Sequence, residues 1–565
     1  MNVIIMLLVK LFFIVFVFYQ TVETKNASLL DVSNLDEDDL TVTLLKPSSK
    51  IRGHRLMTRL GQDYYAFQDI PYAQAPIGKN RFKPAIVSEG WPDILDATSN
   101  KKKCFQPGSP VPFDTLIETE DCLLVNVYTP VKPGTRPYLP VYFWIHGGGF
   151  NTGNGAIGTL DPRNFMDYDV IVVTINYRLG VLGFLSTDDE SIPGNLGLKD
   201  QQFALKWTYD NIKAFGGDPK KITIGGESAG ASSVSYHLLH TGNKDLIKGI
   251  IQESGSALNT FAYQINCTEN AFTYARLLDQ TFASNSSQDL LELLQKTPAE
   301  TLIETQSNMH SGELLGFMSG DYWKPIIESD SNTDAYVTGP MQENFMQGNF
   351  LRVPSFVGFN SEESLTFLMA ATEDQYEKSV KQFDEHPELM ISNKLNTIGN
   401  EVKDVVHDWK KIYTDVPFAQ NKAAFVKYSS DAGYIHPLTR QAELTSQFAP
   451  VYMYQFAYGE PFLNVSGTEH VGHAEELMYL WNLPFLPVGI DEQFRTILIK
   501  FWTNFITYQN PTPHYDDIIY WPKVDPENLE YLNINETLEI RTGPRNYLEV
   551  KNIRERCIIE PYTIY

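Results

Sequence analysis

The sequence predicts an α/β fold: a large, mostly parallel central sheet with helices on both faces and helical insertions above it. Three observations carry this expectation. Between residues 139 and 255, short and fully apolar runs alternate with a long helical stretch and with glycine turns, the pattern of strands buried on both faces. No repeat of 20 to 50 residues, low-complexity tract or Pro/Gly-rich linker divides the chain, so one large domain over residues 25–565 is the simplest arrangement. Finally, 565 residues that are 43% hydrophobic and 13% aromatic supply the apolar side chains such a core needs.

The chain starts with MNVIIMLLVKLFFIVFVFYQTVETK, whose uninterrupted apolar run, Leu11 to Phe18, is too short to span a bilayer. It reads as a secretory signal peptide over residues 1–24, with the cleavage point approximate. No later stretch resembles a membrane span, and the end RERCIIEPYTIY carries no anchor signal, so no stable membrane anchor is expected. A secreted, extracellular glycoprotein is consistent with five N-x-[ST] sequons, at Asn26, Asn266, Asn285, Asn464 and Asn535. With 45 basic against 69 acidic residues, the formal net charge is −24. That charge excludes nucleic acid as a partner, because backbone phosphates are bound by lysine and arginine displacing counterions. Four cysteines, Cys104, Cys122, Cys267 and Cys557, allow three pairings. A bridge from Cys104 to Cys122 would close a short loop and stabilise by about 3 kcal/mol on the chain-entropy model.

The elements then follow in order. LPVYFWI (139–145) reads as a buried strand and runs into the glycine loop HGGGF (146–150). DVIVVTINY (169–177) is a second strand, and GLKDQQFALKWTYDNIKAF (197–215) a helix stopped by Gly216, Gly217 and Pro219. KITIGG (221–226), a helix opened by Ser228, and KGIIQES (248–254) complete the alternation. RVPSFVGF (352–359) and PVYMYQFAY (450–458) have the same strand character, and each precedes polar residues at what would be the carboxyl edge of the sheet. Residues 260–345 and 370–445 read as helical and irregular insertions.

Ser228 lies in GGESAG, a G-x-S-x-G pattern that is weak alone. Here a β-branched run precedes it and a helical run follows, so a tight turn would expose its hydroxyl next to a helix N-terminus. An alkoxide attacking an ester creates a negative oxygen that needs donors already in place. The glycine loop after residue 145 offers the amides of Gly148 and Gly149, and Ala229 a third. GNGAIG (153–158) is formally G-x-G-x-x-G, but it neither begins at a strand end nor opens a helix, so no dinucleotide cofactor is expected. GTEHVGHAEELMYLW supplies His470 and His473 as candidate bases. No H-E-x-x-H or comparable ligand set accompanies them, so no metal is expected. For the order Ser, acid, His, the acid belongs between 228 and 473 at a strand end, where Glu362 and Glu363 stand side by side in VGFNSEESLTF.

On these stretches the chain resembles the type-B carboxylesterase and cholinesterase family of α/β-hydrolases over nearly its whole length after the leader. The matching segments include YAFQDIPYAQAPIGKNRFKP, EDCLLVNVYTP, HGGGF, NYRLGVLGFLS, GNLGLKDQ, AFGGDP, GGESAGA and QESGS, in fixed order. The resemblance implies an α/β-hydrolase fold, Ser228 as nucleophile, Glu363 as acid and His473 as base. It also implies an oxyanion hole of Gly148, Gly149 and Ala229, and the disulfide Cys104 to Cys122. Departures are visible too. His470 stands where the family usually has Gly, and LLDQTF lacks the cysteine that would close a second bridge from Cys267. The loop 104–122 lacks the tryptophan with which cholinesterases hold a quaternary ammonium, so choline esters are not expected.

The resulting expectation is a secreted serine carboxylesterase acting on small-molecule carboxylic esters through an acyl-serine intermediate, without cofactor. One alternative is a juvenile-hormone-type esterase, against which Glu227 counts, since those enzymes typically carry Gln before the serine. Another is a catalytically dead adhesion or binding relative, which generally loses a triad member; here every member is present.

Overall fold

The computed structural model describes residues 40–565 apart from 109–114, 136–137, 310–321, 330–331, 400–401, 460–462, 484–489 and 515–517. The expected leader, 1–24, and the Asn26 sequon lie outside the described residues.

Among the described residues, eleven strands form the central sheet: β1 (His54–Met57), β2 (Asp63–Pro71), β3 (Leu124–Thr129), β4 (Leu139–Ile145), β5 (Ile171–Ile175), β6 (Gly217–Glu227), β7 (Gly249–Glu253), β8 (Ser355–Asn360), β9 (Val451–Phe456), β10 (Glu530–Ile534) and β11 (Leu538–Thr542). Their spatial order is β11-β10-β9-β8-β7-β6-β4-β5-β3-β2-β1. The strands from β10 across to β5 are parallel to one another, and antiparallel strands finish both edges. The chain passes from β4 to β5 on one side and then returns to lay β6 on the other. The carboxyl ends of β4 and β6 therefore open at a switch point, where open α/β sheets bind ligands.

Period-two alternation explains why these strands read as unbroken apolar runs. Within β4, Val141, Phe143 and Ile145 pack into one hydrophobic cluster, while Tyr142 and Trp144 pack into another on the opposite face. Neither face meets water, so neither can carry polar residues. The helix α1 (Leu196–Asn211), which overlaps the predicted run 197–215 from one residue before its start, and the helix α2 (Ala229–Leu239), opened by Ser228, both lie on this framework. The insertions are helical as expected, with helices at Cys267–Leu278, Ser287–Lys296 and Ala299–Met309, and again at Glu373–Glu385, Val402–Tyr413 and Lys422–Ser430. Helix α3 (His436–Ser446) follows a turn of π-helix at Asp431–Ile435, and helix α4 (Glu492–Tyr508) comes after β9.

Cys104 and Cys122 are disulfide-bonded, whereas Cys267 and Cys557 form no disulfide. Asn266, Asn285 and Asn464 are exposed and Asn535 is half-buried. No helix among the described residues is long and apolar enough to cross a membrane.

Candidate active site

The turn from β6 into α2 holds Ser228 at φ 57° and ψ −122°, a conformation that costs a side-chain-bearing residue about 1–3 kcal/mol. Two hydrogen bonds maintain it: the Ser228 amide donates to Glu253 O (2.8 Å), and Ser228 O accepts from the Ser232 amide (2.9 Å). The two glycines of the pattern have a common cause. A Cβ on Gly226 would sit 2.5 Å from Ile145 O, and one on Gly230 2.1 Å from the same atom. The last carbonyl of β4 thus passes between them, and only glycine on both sides lets the turn close against it.

The loop after β4 is oriented carbonyl by carbonyl. Gly148, Gly149 and Phe150 all have positive φ (101°, 60° and 62°). His146 Nδ1–H donates to Gly147 O (2.8 Å), and the amides of Asn151 and Thr152 donate to Gly148 O (3.0 Å each). In a planar trans peptide the N–H points opposite to the C=O. Tying down the Gly147 and Gly148 carbonyls therefore aims the Gly148 and Gly149 amides the other way. His146 is suited to this post because burial, opposed by its bond to Gly147, lowers its pKa to about 4, keeping it neutral and a single-proton donor. Its ring stacks on Tyr177 at 4.4 Å, and the Tyr177 hydroxyl donates to His146 O (2.9 Å).

His473 is brought to Glu363: its Nδ1–H donates to Glu363 Oε2 at 2.6 Å, and its amide donates to Glu363 O at 3.1 Å. The other carboxylate oxygen, Oε1, accepts from Ser254 Oγ (2.6 Å) and from the Asn360 amide (2.7 Å). The ring packs against Tyr434 (4.5 Å) and Phe367 (5.4 Å). On its far side Nε2 lies 3.0 Å from Glu227 Oε1, yet neither atom has an aligned hydrogen-bond partner. Burial works against a charged ring here, but the Glu227 and Glu363 carboxylates outweigh it and push the imidazole up to about 10.

Glu362, the neighbour, turns elsewhere. It accepts from Arg545 Nη1 (2.8 Å) and Nη2 (3.1 Å), and Arg545 also grips Asp431 (2.8 Å). His470, the other histidine of its run, is exposed. Behind Glu363 lie two more buried carboxyls. Glu253 accepts from Trp502 Nε1 (2.9 Å) and the Tyr142 hydroxyl (3.3 Å), and Glu476 from Asn360 Nδ2 (2.5 Å). Burial raises the pKa of both; the charge of Glu227 adds to the rise of Glu253, and the charges of Glu253, Glu227 and Glu363 add to that of Glu476. Among the described residues no group of three His, Cys, Asp or Glu side chains could hold a metal ion.

Sequence reasoning placed Ser228, Glu363, His473 and the glycine loop, but it assigned no part to His146, Ser254, Asn360 or Lys324. Ser254 and His146 sit in matched stretches, QESGS and HGGGF; the partner of Ser254, Glu363, lies 109 residues away, and the bond from His146 to the adjacent Gly147 carbonyl depends on the turn of the loop, so no spacing pointed to either contact.

A sheet of this order, with a serine at the strand-to-helix turn of β6 and an acid after β8, is the α/β-hydrolase fold. The family model described as "Carboxylesterase family" matches residues 39–550. A relative named juvenile hormone esterase, from Tribolium castaneum, is 32% identical over 85% of each chain. Venom carboxylesterase-6 of Apis mellifera is 31% identical over 88% of this chain and 91% of its own. The crystal structure of juvenile hormone esterase from Manduca sexta, solved with OTFP covalently attached, superimposes with a TM-score of 0.80 at 26% identity, covering 91% of this chain and 99% of that one. The chain belongs to the carboxylesterase family. It is accordingly an enzyme that hydrolyses carboxylic esters.

Proposed function

We propose that the hydrolysis runs through an acyl-serine on Ser228, with His473 as base and acid, Glu363 as its partner, and the amides of Gly148, Gly149 and Ala229 as the oxyanion hole. In acylation Ser228 Oγ bonds to the ester carbonyl carbon while its proton passes to His473 Nε2. The tetrahedral intermediate then collapses, its C–O bond to the alcohol breaks, and the same proton leaves on the alcohol. Water repeats the sequence: His473 takes its proton, the hydroxide oxygen bonds to the acyl carbon, and Ser228 departs with that proton. The carrying observation is the 2.6 Å bond from His473 to Glu363, with a serine held out at φ 57° directly after Glu227, whose carboxylate lies 3.0 Å from the same ring.

The test is labelling with a fluorophosphonate followed by peptide mapping, alongside turnover of an aryl acetate. Modification at Ser228 and loss of turnover in Ser228→Ala are expected. Labelling elsewhere, or near-native kcat in the variant, overturns the assignment.

The protein works as one catalytic domain, outside the cell. The leader at 1–24, the sequons, of which Asn266, Asn285 and Asn464 are exposed, the Cys104–Cys122 bridge and the name of the venom relative support secretion. Expression in insect cells should place the enzyme in the medium with a mass that falls on glycosidase treatment. Its substrates are small or medium esters. A second reading, a juvenile-hormone-type ester, is favoured by the names of two of the three similar proteins and opposed by Glu227. Comparing kcat/KM for juvenile hormone and for an aryl acetate separates the two.

A further inference from the structure

The oxyanion loop has a third carbonyl, Gly149 O, and the group that ties it down is a charged one. Lys324 Nζ donates to it at 2.5 Å, and Asn151 Nδ2 adds a second bond at 3.0 Å. Lys324 is only 8% exposed, and its ammonium also lies over the Phe150 ring, 5.9 Å from the centroid. Nζ is 3.8 Å from where a Cβ of Gly149 would stand. A cation is thus buried against the glycine whose amide faces the reacting oxygen.

Its placement is enforced. Trp323, just before it, has φ 59°, a costly conformation for a bulky aromatic residue. The segment is clamped by Gln264, whose Nε2 donates to Lys324 O (2.6 Å) and whose Oε1 accepts from the Trp323 amide (3.3 Å). The Gln264 amide adds a bond to Pro325 O (3.0 Å). Strain of this kind persists where surrounding contacts hold a residue to a task.

We propose that Lys324 is a positioning residue of the oxyanion loop: its ammonium fixes the Gly149 carbonyl, and with it the Gly149–Phe150 peptide that follows the glycine whose amide enters the hole, and its positive charge favours the oxyanion over the neutral ester. This rests on the acyl-serine reading above. The charge matters because the negative oxygen forms only in the transition state and the tetrahedral intermediate, in a site where burial leaves little water to screen it. The effect therefore belongs to kcat more than to ground-state binding.

The test compares Lys324→Met and Lys324→Arg with the natural enzyme, all rates being expressed per site titrated with a fluorophosphonate. In Lys324→Met, kcat should fall roughly ten- to a hundred-fold while KM stays within about three-fold. The inhibition constant of an aliphatic trifluoromethyl ketone, whose serine adduct carries the same oxyanion, should rise in step with the loss in kcat/KM. Lys324→Arg, which keeps the charge and a donor, should recover most of the loss. Should Lys324→Met give no titratable sites, Lys324→Gln takes its place with the same expectations. An unchanged kcat and ketone affinity, or a loss that arginine does not relieve, overturns the inference. Ser228→Ala, assayed in parallel, keeps the two claims apart: turnover there sinks the serine mechanism, whereas an inactive Ser228→Ala beside an unimpaired Lys324→Met sinks only the role of Lys324.

Discussion

Glu227 Oε1 lies 3.0 Å from His473 Nε2, while Glu363 Oε2 lies 2.6 Å from Nδ1 of the same ring. The imidazole is therefore held between two carboxylates that both favour its charged form. That favours the imidazolium generated during acylation, but it also raises the pH that the resting ring needs to be neutral and so to act as a base. Serine attack thus has to compete with the Glu227 contact for Nε2.

The pH profile follows from this geometry. The acidic limb of kcat/KM should lie above the ordinary histidine value of 6.5, because burial is outweighed by Glu227 and Glu363 and the ring rises to about 10. Glu227→Gln removes the carboxylate on the Nε2 side, so the limb should move to lower pH and the rate at neutral pH should rise, on a titration of kcat/KM from about pH 5 to about pH 10. A limb that stays where it was in the variant counts against the contact.

Glu363 and Glu362 should separate in different measurements. Glu363→Gln removes the charge that orients and stabilises the His473 imidazolium, and kcat should drop by roughly a thousand-fold or more. Glu362 faces Arg545 in a buried pair, so Glu362→Gln should leave kcat near native and lower stability by roughly 2–4 kcal/mol, read by urea unfolding. The opposite pattern would mean that the two neighbours had exchanged roles.

That pair also marks where reading the sequence stops. The strands LPVYFWI and KITIGG, the order Ser, Glu, His and the helical insertions were all legible, because periodicity and glycine punctuation are local properties. Nothing local separates Glu362 from Glu363; family resemblance chose between them, and the physical reason for the choice is Arg545, 183 residues further along the chain. The same holds for Lys324, which meets Gly149 across a separation of 175 residues. Glu227 was legible as the residue before the serine that bears on substrate class, but its approach to the far nitrogen of the base was not. The strands β1, β2, β3, β10 and β11, at and near the two edges of the sheet, went unread.

Gly230 offers a test of the turn itself. Its Cβ would lie 2.1 Å from Ile145 O, a backbone atom of the central strand β4 that has nowhere to move. Gly230→Ala should therefore cost about 3 kcal/mol or more and displace the Ala229 amide. Activity per folded molecule should fall too, measured as kcat at a temperature where the variant is still folded. A variant with native stability and kcat would mean the strand and turn are less closely packed than described.

The buried carboxyls make a final prediction about stability against pH. Glu475 is held up at about 8 by burial, and Glu253 and Glu476 are both raised, by burial first and then by the charges around them. His473 is raised as well. In every case the folded pKa exceeds the unfolded one, so the folded state binds more protons across the interval between them. Their contribution is fully present below the carboxyl reference value of 4.5, and for His473 below 6.5. It is lost as pH rises through the folded values, about 8 for Glu475 and about 10 for His473. The thermal midpoint should accordingly decline from about pH 7, above the range in which the buried histidines with lowered pKa values titrate, to about pH 9, and Glu253→Gln, which removes one buried ionisation and relieves Glu476, should flatten that decline. The variant should match the natural enzyme near pH 5 and exceed it at the alkaline end; parallel curves would show that Glu253 ionises in the folded protein without cost.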